Sequence, residues 1–365
     1  MAGVSGLGGF REAPATSFVN WAWAPILGHF PIRQLLLNML RVVDGFGWFC
    51  TAVLIAALFF LPTSEAAAQA AGCSGIGQFA LNQASAEGEG VKSSDPSHTA
   101  SMGTNWIAMF APGTRLYPVY LADPLQPTTA LNAVRYKETE IPSAGEQRYV
   151  FRIGGKLGLL RVAPADCLNR GIQLNLHGTF LGMFDREYSL DNIGWDGLYG
   201  IDLTWRHSNG LALKFGLNHD SSHVGDEFAE RTGIRRVDYT RQEYVLGGGF
   251  PVWQDFRGYG EAGWAFDLRN TDLQEKWRVQ TGLEYVNADC LWGGRMGFYA
   301  ALDLTAYEES DWEPDVTAQT GLMIPVHRIN RNFRIGLEYR HGRSVIGEFS
   351  RFEETYWAWG FWIDL

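Results

Sequence analysis

The C-terminal segment 356–365 places its residues alternately on the two faces of one extended strand. Trp357, Trp359, Phe361, Ile363 and Leu365 share one face, whereas the opposite face is mixed in character. Because side chains alternate along a β-strand, one whole face of this segment is apolar and aromatic. A soluble sheet can bury such a face under a second layer, but an outer-membrane barrel exposes one to lipid on every strand. The segment therefore favours a membrane barrel.

Period-two alternation recurs from residue 128 to the end of the chain. Between 333 and 340, for example, apolar residues alternate with Arg334, Glu338 and Arg340. We therefore predict an all-β fold, a closed antiparallel transmembrane β-barrel of about twelve strands. The predicted strands are 128–137, 147–162, 172–185, 198–208, 211–223, 237–251, 257–268, 276–288, 296–309, 315–326, 333–344 and 355–365. An even number returns both ends to the periplasm, and 186–197 and 224–236 become outward loops.

The polar faces of these strands carry charges of both signs. Mixed charges that face a narrow lumen favour a salt-bridged, closed barrel over an open pore. A soluble β-sandwich is the alternative fold. The formal net charge of -10 argues against a nucleic-acid partner. The predicted inward charges are Arg152, Asp202, Arg206, Lys214, Glu261, Arg278, Glu284, Asp303, Arg334, Glu338 and Arg340.

The N-terminal part of the chain contains one long apolar run, 46–61, followed by small residues at 66–70. This pattern predicts a signal peptide within 1–70, with an over-extended gene start before Met39, rather than a retained anchor. Residues 71–113 are rich in small and polar residues and predict a flexible linker. The proline-rich segment 114–127 is expected to lead into the barrel along its rim or partly inside it. Barrel residues follow at 128–365.

The cysteines add little to these predictions. Cys50 would leave with the signal peptide, and lipidation of Cys73 is a weak alternative to ordinary cleavage. A bridge between Cys167 and Cys290 is compatible with an oxidising periplasm, although the spacing does not require it.

One strand end carries residues capable of chemistry. The lipid face of strand 211–223 continues from Leu217 to His219, Ser221 and His223. His219 and Ser221 lie about 7 Å apart along the backbone, at about 3.3 Å per residue. His219 could act as general base for Ser221 as nucleophile on a lipid ester, with a third group to orient His219.

The same residues have simpler explanations. They could cap a loop or contact lipid headgroups, and we favour this structural interpretation. His219 and His223 are about 13 Å apart on an ideal strand, too far to share one metal ion, so no metal site is predicted. His223, Asp226 and Glu227 are candidate binding residues. No cofactor is expected, with calcium at Asp226 and Glu227 as the alternative.

The strings His219-Asp-Ser-Ser-His-Val-Gly-Asp-Glu-Phe228, Leu116-Tyr-Pro-Val-Tyr-Leu-Ala-Asp-Pro124 and Trp312-Glu-Pro-Asp315 resemble the bacterial family known as domain of unknown function 1207. That family is grouped with outer-membrane β-barrels and has no established activity. The His219-x-Ser221 pair is also similar to that of outer-membrane phospholipase A and the lipid A 3-O-deacylase. The resemblance to these two enzyme families implies an amide or acid on the adjoining strand, for which the candidates are Asp238, Gln242 and Glu243.

Three functions follow as hypotheses. The first is a structural or envelope-interacting barrel of the bacterial outer membrane that contacts membrane lipids or lipopolysaccharide. The second is a lipid-ester hydrolase of the phospholipase or lipid A deacylase type, acting at the outer leaflet. The third is a narrow channel for small solutes.

Overall fold

The computed structural model describes residues 99–101, 105–293, 295–326 and 331–364. The predicted signal peptide, Cys73 and most of the predicted linker lie outside the described residues. Within the described ranges, no helix is long and apolar enough to cross a membrane.

Twelve antiparallel strands form a closed barrel, which confirms the predicted fold class. Each strand pairs with its neighbours in sequence, and the last strand pairs with the first, from Ile363 opposite Thr129 to Glu354 opposite Thr139. The strands are β3 (Thr129–Thr139), β4 (Gln147–Pro164), β5 (Gly171–Asp185), β6 (Asp191–Arg206), β7 (Ala212–Val224), β8 (Thr240–Trp253), β9 (Phe256–Arg269), β10 (Trp277–Leu291), β11 (Met296–Tyr307), β12 (Pro314–Val326), β13 (Arg331–Arg343) and β14 (Glu353–Ile363).

The first barrel strand, β3, begins and the last strand, β14, ends at the same rim, which we call the terminal rim. The opposite rim is the distal rim. Most connections at the distal rim are longer, and the one between β7 and β8 contains helix α1 (Asp226–Thr232). The turn 207–211 at the terminal rim is tight, with Gly210 at φ 89°. The predicted loop 186–197 is wrong, because β6 begins at Asp191 and its residues pair with β5.

Two short strands lie outside the barrel. Strand β1 (Thr99–Ser101) pairs with β2 (Trp106–Phe110), and β2 pairs with the end of β4, from Trp106 opposite Pro164 to Phe110 opposite Leu160. Strand β2 thus continues the edge of β4 beyond the residues that pair with β3. Residues 106–110, which the predicted linker includes, are therefore part of the sheet.

The barrel exterior is apolar, and the lumen is polar. On β14, Trp359 is 64% exposed whereas Trp362 is completely buried, as the alternation of the segment predicts. All eleven predicted inward charges point into the lumen, where ten of them are buried and Lys214 is partly buried. Inward charges pair across the lumen wall, as in Lys214 of β7 with Glu261 of β9 at 2.5 Å, and Arg148 of β4 with Glu354 of β14 at 2.6 Å; each of these pairs spans one intervening strand.

The segment 113–127, which we call the plug, lies inside the lumen. Its residues Leu116, Tyr117, Tyr120 and Leu121 are almost completely buried. Arginines of the wall donate hydrogen bonds to its main-chain carbonyls: Arg331 to Gly113 (2.9 Å), Arg161 to Thr114 (2.7 Å), Arg206 to Leu116 (3.5 Å), Arg257 to Val119 (2.6 Å), Arg334 to Leu121 (3.1 Å), and Arg152 to Asp123 and Pro124 (3.1 and 2.7 Å). Charge-assisted bonds of this kind hold the plug firmly across the lumen.

The distal end of the lumen is filled by loop residues. Ile346 and Phe349 of the connection between β13 and β14 pack inward against Phe228 of α1 and against inward residues such as Met183. The loop is anchored by Glu348, whose carboxylate accepts hydrogen bonds from the backbone N–H groups of Val237 and Tyr239. The plug and this apolar cap together close the barrel from both sides.

The described cysteines are not paired with each other. Cys167 is disulfide-bonded, whereas the thiol of Cys290 forms no disulfide and donates to the Asn287 carbonyl at 3.5 Å. A Cys167–Cys290 bridge is therefore wrong for this structure.

Candidate functional site

Strand β7 presents the predicted His219, Ser221 and His223 on the outside of the barrel. The same outer face carries Leu213 and Phe215 nearer the terminal rim, and both are about half exposed. His219 lies seven residues beyond Ala212, which is about 23 Å along a strand with a rise of about 3.3 Å per residue. Barrel strands tilt by about 35–45°, so this length corresponds to a height of about 16–19 Å, and His219 lies in the distal part of an apolar band about 25 Å tall.

His219 belongs to a row of side chains that crosses four strands on this outer face. Tyr199 of β6 lies opposite His219, and their rings stack at a centroid distance of 4.5 Å. On the other side Gln242 of β8 lies opposite His219, within range of a side-chain hydrogen bond. Asp267 of β9 comes next and accepts a 2.5 Å hydrogen bond from the Gln242 amide nitrogen. With its nitrogen used in this way, Gln242 has its amide oxygen available for a ring N–H of His219.

The structure separates the three candidates for the third member. Gln242 faces outward beside His219. Glu243 points into the lumen, where it forms ion pairs with Arg241 at 3.0 Å and Arg278 at 2.6 Å, so it cannot orient His219. Asp238 lies in the connection before β8, is highly exposed, and pairs with Arg269 at 3.5 Å. Glu243 and Asp238 are therefore wrong as orienting groups.

Ser221 occupies the next outer row towards the distal rim. It lies between Gly197 of β6 and Thr240 of β8, and its hydroxyl donates to the Gly197 carbonyl at 3.4 Å. No hydrogen bond among the described residues joins Ser221 to His219. Because the imidazole stacks on Tyr199, it must swing away from that ring before it can accept the serine proton.

The remaining predicted binding residues do not form a metal site in this structure. The ring of His223 packs against Trp195 at a centroid distance of 4.1 Å, and Asp226 pairs with Arg236 at 2.5 Å at the surface. Glu227 lies in the first turn of α1 and is exposed. Across the described ranges, no three His, Cys, Asp or Glu side chains cluster as metal ligands would.

The inner face of the same strand is tied to the distal cap. Ser222 donates to Asp196 and accepts a 2.8 Å hydrogen bond from the backbone N–H of Glu348. The second oxygen of Asp196 accepts from the backbone N–H of Gly347 at 2.9 Å. Asp220 faces a small lumen cavity of about 110 Å³ instead. The strand is thereby tied to the distal cap at Ser222, directly after Ser221.

Two functional candidates were not predicted from the sequence. Asp267 and Gly197 are identified only by the strand register, since both lie far from Ser221 in the chain. A single carboxylate or glycine in an alternating strand carries no signal by itself.

The chain belongs to the family described as protein of unknown function (DUF1207), whose model matches residues 78–363. Among solved structures, the chain is similar to outer membrane phospholipase A from Escherichia coli, at 12% identity and a TM-score of 0.44, over 66% of this chain and 94% of that one. It is also similar to LpxR from Salmonella typhimurium, at 8% identity and a TM-score of 0.34, over 65% of this chain and all of that one. No curated protein matches the chain.

Proposed function

We propose that the protein is a lipid-ester hydrolase that acts at the outer leaflet of the bacterial outer membrane. The observation that carries this proposal is the row His219–Gln242–Asp267 on the lipid-facing surface, one row from Ser221. Polar groups on the lipid face of a barrel cost free energy, so a connected series of them beside a serine favours a catalytic role.

The reaction follows from the chemistry of these side chains. His219 takes the Ser221 proton as the serine oxygen bonds to the ester carbonyl carbon. The tetrahedral intermediate collapses as the ester C–O bond breaks, and His219 returns the proton to the leaving alcohol. A water molecule then attacks the acyl-serine and loses its proton to His219. As the acyl–oxygen bond breaks, His219 returns this proton to the serine oxygen, which releases the fatty acid and restores the Ser221 hydroxyl. Gln242 would keep the imidazole in the tautomer that leaves one ring nitrogen unprotonated, and Asp267 would hold Gln242.

A structural, envelope-interacting barrel is the second candidate. It is favoured by the absence of a hydrogen bond between Ser221 and His219 in the described residues, and by the anchoring of the distal cap under this strand. In that case the outer polar row would contact lipopolysaccharide headgroups. A solute channel is the least supported, because the plug and the apolar cap fill the lumen.

The test is fatty acid release by the purified protein, reconstituted with phospholipid and with lipopolysaccharide. We expect release that Ser221→Ala abolishes and that His219→Ala reduces nearly as much, because a neutral hydroxyl is a poor nucleophile without its base. Ser208→Ala, in an exposed turn at the terminal rim, is the matched control and should retain full activity. Parallel assays with calcium and with a chelator test the alternative that Asp226 and Glu227 bind calcium.

Release that persists in Ser221→Ala would overturn the hydrolase proposal. A wild-type protein that releases nothing from either lipid, while its barrel is folded, would favour the structural candidate.

A further inference from the structure

Gly197 leaves a gap in the outer surface of the barrel directly beside Ser221. A methyl group added at Gly197 would meet a single atom within 4 Å, the Ser221 hydroxyl oxygen, at 3.5 Å. Most other strand glycines of this barrel lie against backbone or ring atoms at shorter distances. The space over Gly197 is therefore open towards the lipid side, and the serine hydroxyl borders it.

Packed pairs of rings enclose this gap on both sides along the strands. Towards the distal rim, Trp195 packs against His223 at a centroid distance of 4.1 Å, with the ring planes tilted by 32°. Towards the terminal rim, Tyr199 stacks on His219 at 4.5 Å. Residues 195, 197 and 199 share the outer face of β6, so the two stacks stand as walls and Gly197 is the floor between them. We call this gap the Gly197 notch.

We propose that the Gly197 notch receives the ester end of a long-chain acyl group, and that Gly197 sets which acyl esters can reach Ser221. This inference rests on the proposed hydrolase function. The notch is lined by ring faces, which suit methylene groups, and the Ser221 oxygen lies at its edge. Beyond the notch, Ile201 and Leu217 continue an exposed apolar surface towards the middle of the bilayer. A lipid acyl chain that lies along this surface and passes over the Tyr199 and His219 rings can therefore place its carbonyl group in the notch, beside Ser221.

The notch can be filled without disturbing the fold. At 3.5 Å from Ser221 an alanine side chain makes an ordinary van der Waals contact, so Gly197→Ala should be tolerated. Gly197→Leu places a branched side chain between the two ring stacks, on a face where an aliphatic residue suits the lipid. Gly260→Leu is the matched control, since Gly260 is an exposed outward glycine of β9 whose added methyl would meet nothing nearer than the Gln280 carbonyl, at 4.0 Å.

The experiment compares covalent labelling of Ser221 by two sulfonyl fluorides, one with a methyl group and one with a hexadecyl chain. In this reaction the serine oxygen bonds to sulfur, the S–F bond breaks, fluoride leaves, and His219 takes the serine proton. We expect Gly197→Leu to slow labelling by the long-chain reagent at least about tenfold, the lower end of what exclusion from an apolar pocket is worth. Labelling by the methyl reagent should change much less, and Gly260→Leu should behave as wild type with both reagents.

The outcomes separate the two proposals. If wild type is labelled at Ser221 and Gly197→Leu reacts with the long-chain reagent at the wild-type rate, the proposed role of the Gly197 notch is wrong, whereas the assignment of Ser221 as nucleophile is supported. If neither reagent labels Ser221 in the folded wild-type protein, the hydrolase proposal fails and the notch fails with it. Heat-modifiable migration in gels reports folding of each variant, and Gly197→Val replaces Gly197→Leu if the latter does not fold.

Discussion

Glu284 is the wall residue whose loss should loosen the plug most directly. Its side chain is completely buried, and one carboxylate oxygen accepts a 2.7 Å hydrogen bond from the backbone N–H of Leu121 in the plug. The other oxygen pairs with Arg257 at 2.6 Å, and Arg257 in turn donates to the plug carbonyl of Val119. One carboxylate thus holds the plug both directly and through an arginine.

Glu284→Ala removes both interactions at once. It leaves the Leu121 N–H without its acceptor and takes the carboxylate away from the buried Arg257. Breaking a buried ion pair from one side costs about 3–5 kcal/mol, because the remaining charge stays desolvated. Glu284→Gln keeps an oxygen acceptor for the Leu121 N–H but loses the negative charge, so the decrease in the free energy of unfolding should be smaller than for Glu284→Ala. The control is Glu138→Ala, since Glu138 pairs with Lys137 at the surface with both side chains about 70% exposed, and such pairs are worth about 0–1 kcal/mol.

The free energy of unfolding is measured by urea titration of the protein in lipid vesicles, followed by tryptophan fluorescence and by heat-modifiable migration. Hydrogen exchange of plug peptides around Leu121 reports on the plug locally. The exchange rate should increase in Glu284→Ala and stay unchanged in Glu138→Ala. If the two variants unfold at the same urea concentration with equal plug exchange, the assigned anchoring role of Glu284 is wrong.

Three further predictions follow from other parts of the barrel. Replacing 115–123 by a Gly/Ser sequence should produce conductance in planar bilayers where wild type shows none, and equal conductance of both proteins would refute the plug as the barrier. Trp359→Asp combined with Phe361→Asp should block membrane insertion, because each change places a carboxylate on the lipid face at a cost that reaches about 2 kcal/mol near the bilayer centre; unaltered heat-modifiable migration would contradict this. Gln242→Ala should lower kcat for ester cleavage about 10²-fold with little change in KM, as expected when a base loses its orienting group, and an unchanged kcat would remove Gln242 from the mechanism.

The sequence predicted the strands because their signal is local. A period of two residues identifies a strand and its apolar face without knowledge of its partners, and the exposed face that carries Trp359 and the buried Trp362 follow from it. The plug has no such period. Many of its hydrogen bonds run from wall arginines to main-chain carbonyls, and its buried side chains, such as Tyr120 stacked on Tyr259, follow no period that would show where the segment lies.

The outer row of the site depends on register, which the sequence does not encode locally. Between β8 and β9, Glu243 pairs with Ala265 but Gln242 pairs with Asp267, so Phe266 is an extra residue in β9. This bulge brings Asp267 opposite Gln242; a regular ladder would have placed Phe266 there. The same limitation explains why Gln242 and Glu243 could not be separated from the sequence: they are adjacent, and only the strand's orientation decides which one faces His219.

Replacement of the whole outer polar row would separate a catalytic role from a structural role. Charged or polar groups on the lipid face cost about 0–1 kcal/mol near the interface and more towards the bilayer centre. Replacing His219, Gln242 and Asp267 together by leucine should therefore leave the barrel as stable or slightly more stable. Functional sites commonly carry such a cost in stability.

If the row is catalytic, this triple variant keeps or gains stability and loses ester cleavage with Ser221 still in place. If the row only contacts headgroups, the variant loses lipopolysaccharide binding and has no cleavage to lose. A clear loss of stability in the triple variant would contradict both roles, since the row would then be needed to hold β7, β8 and β9 in register.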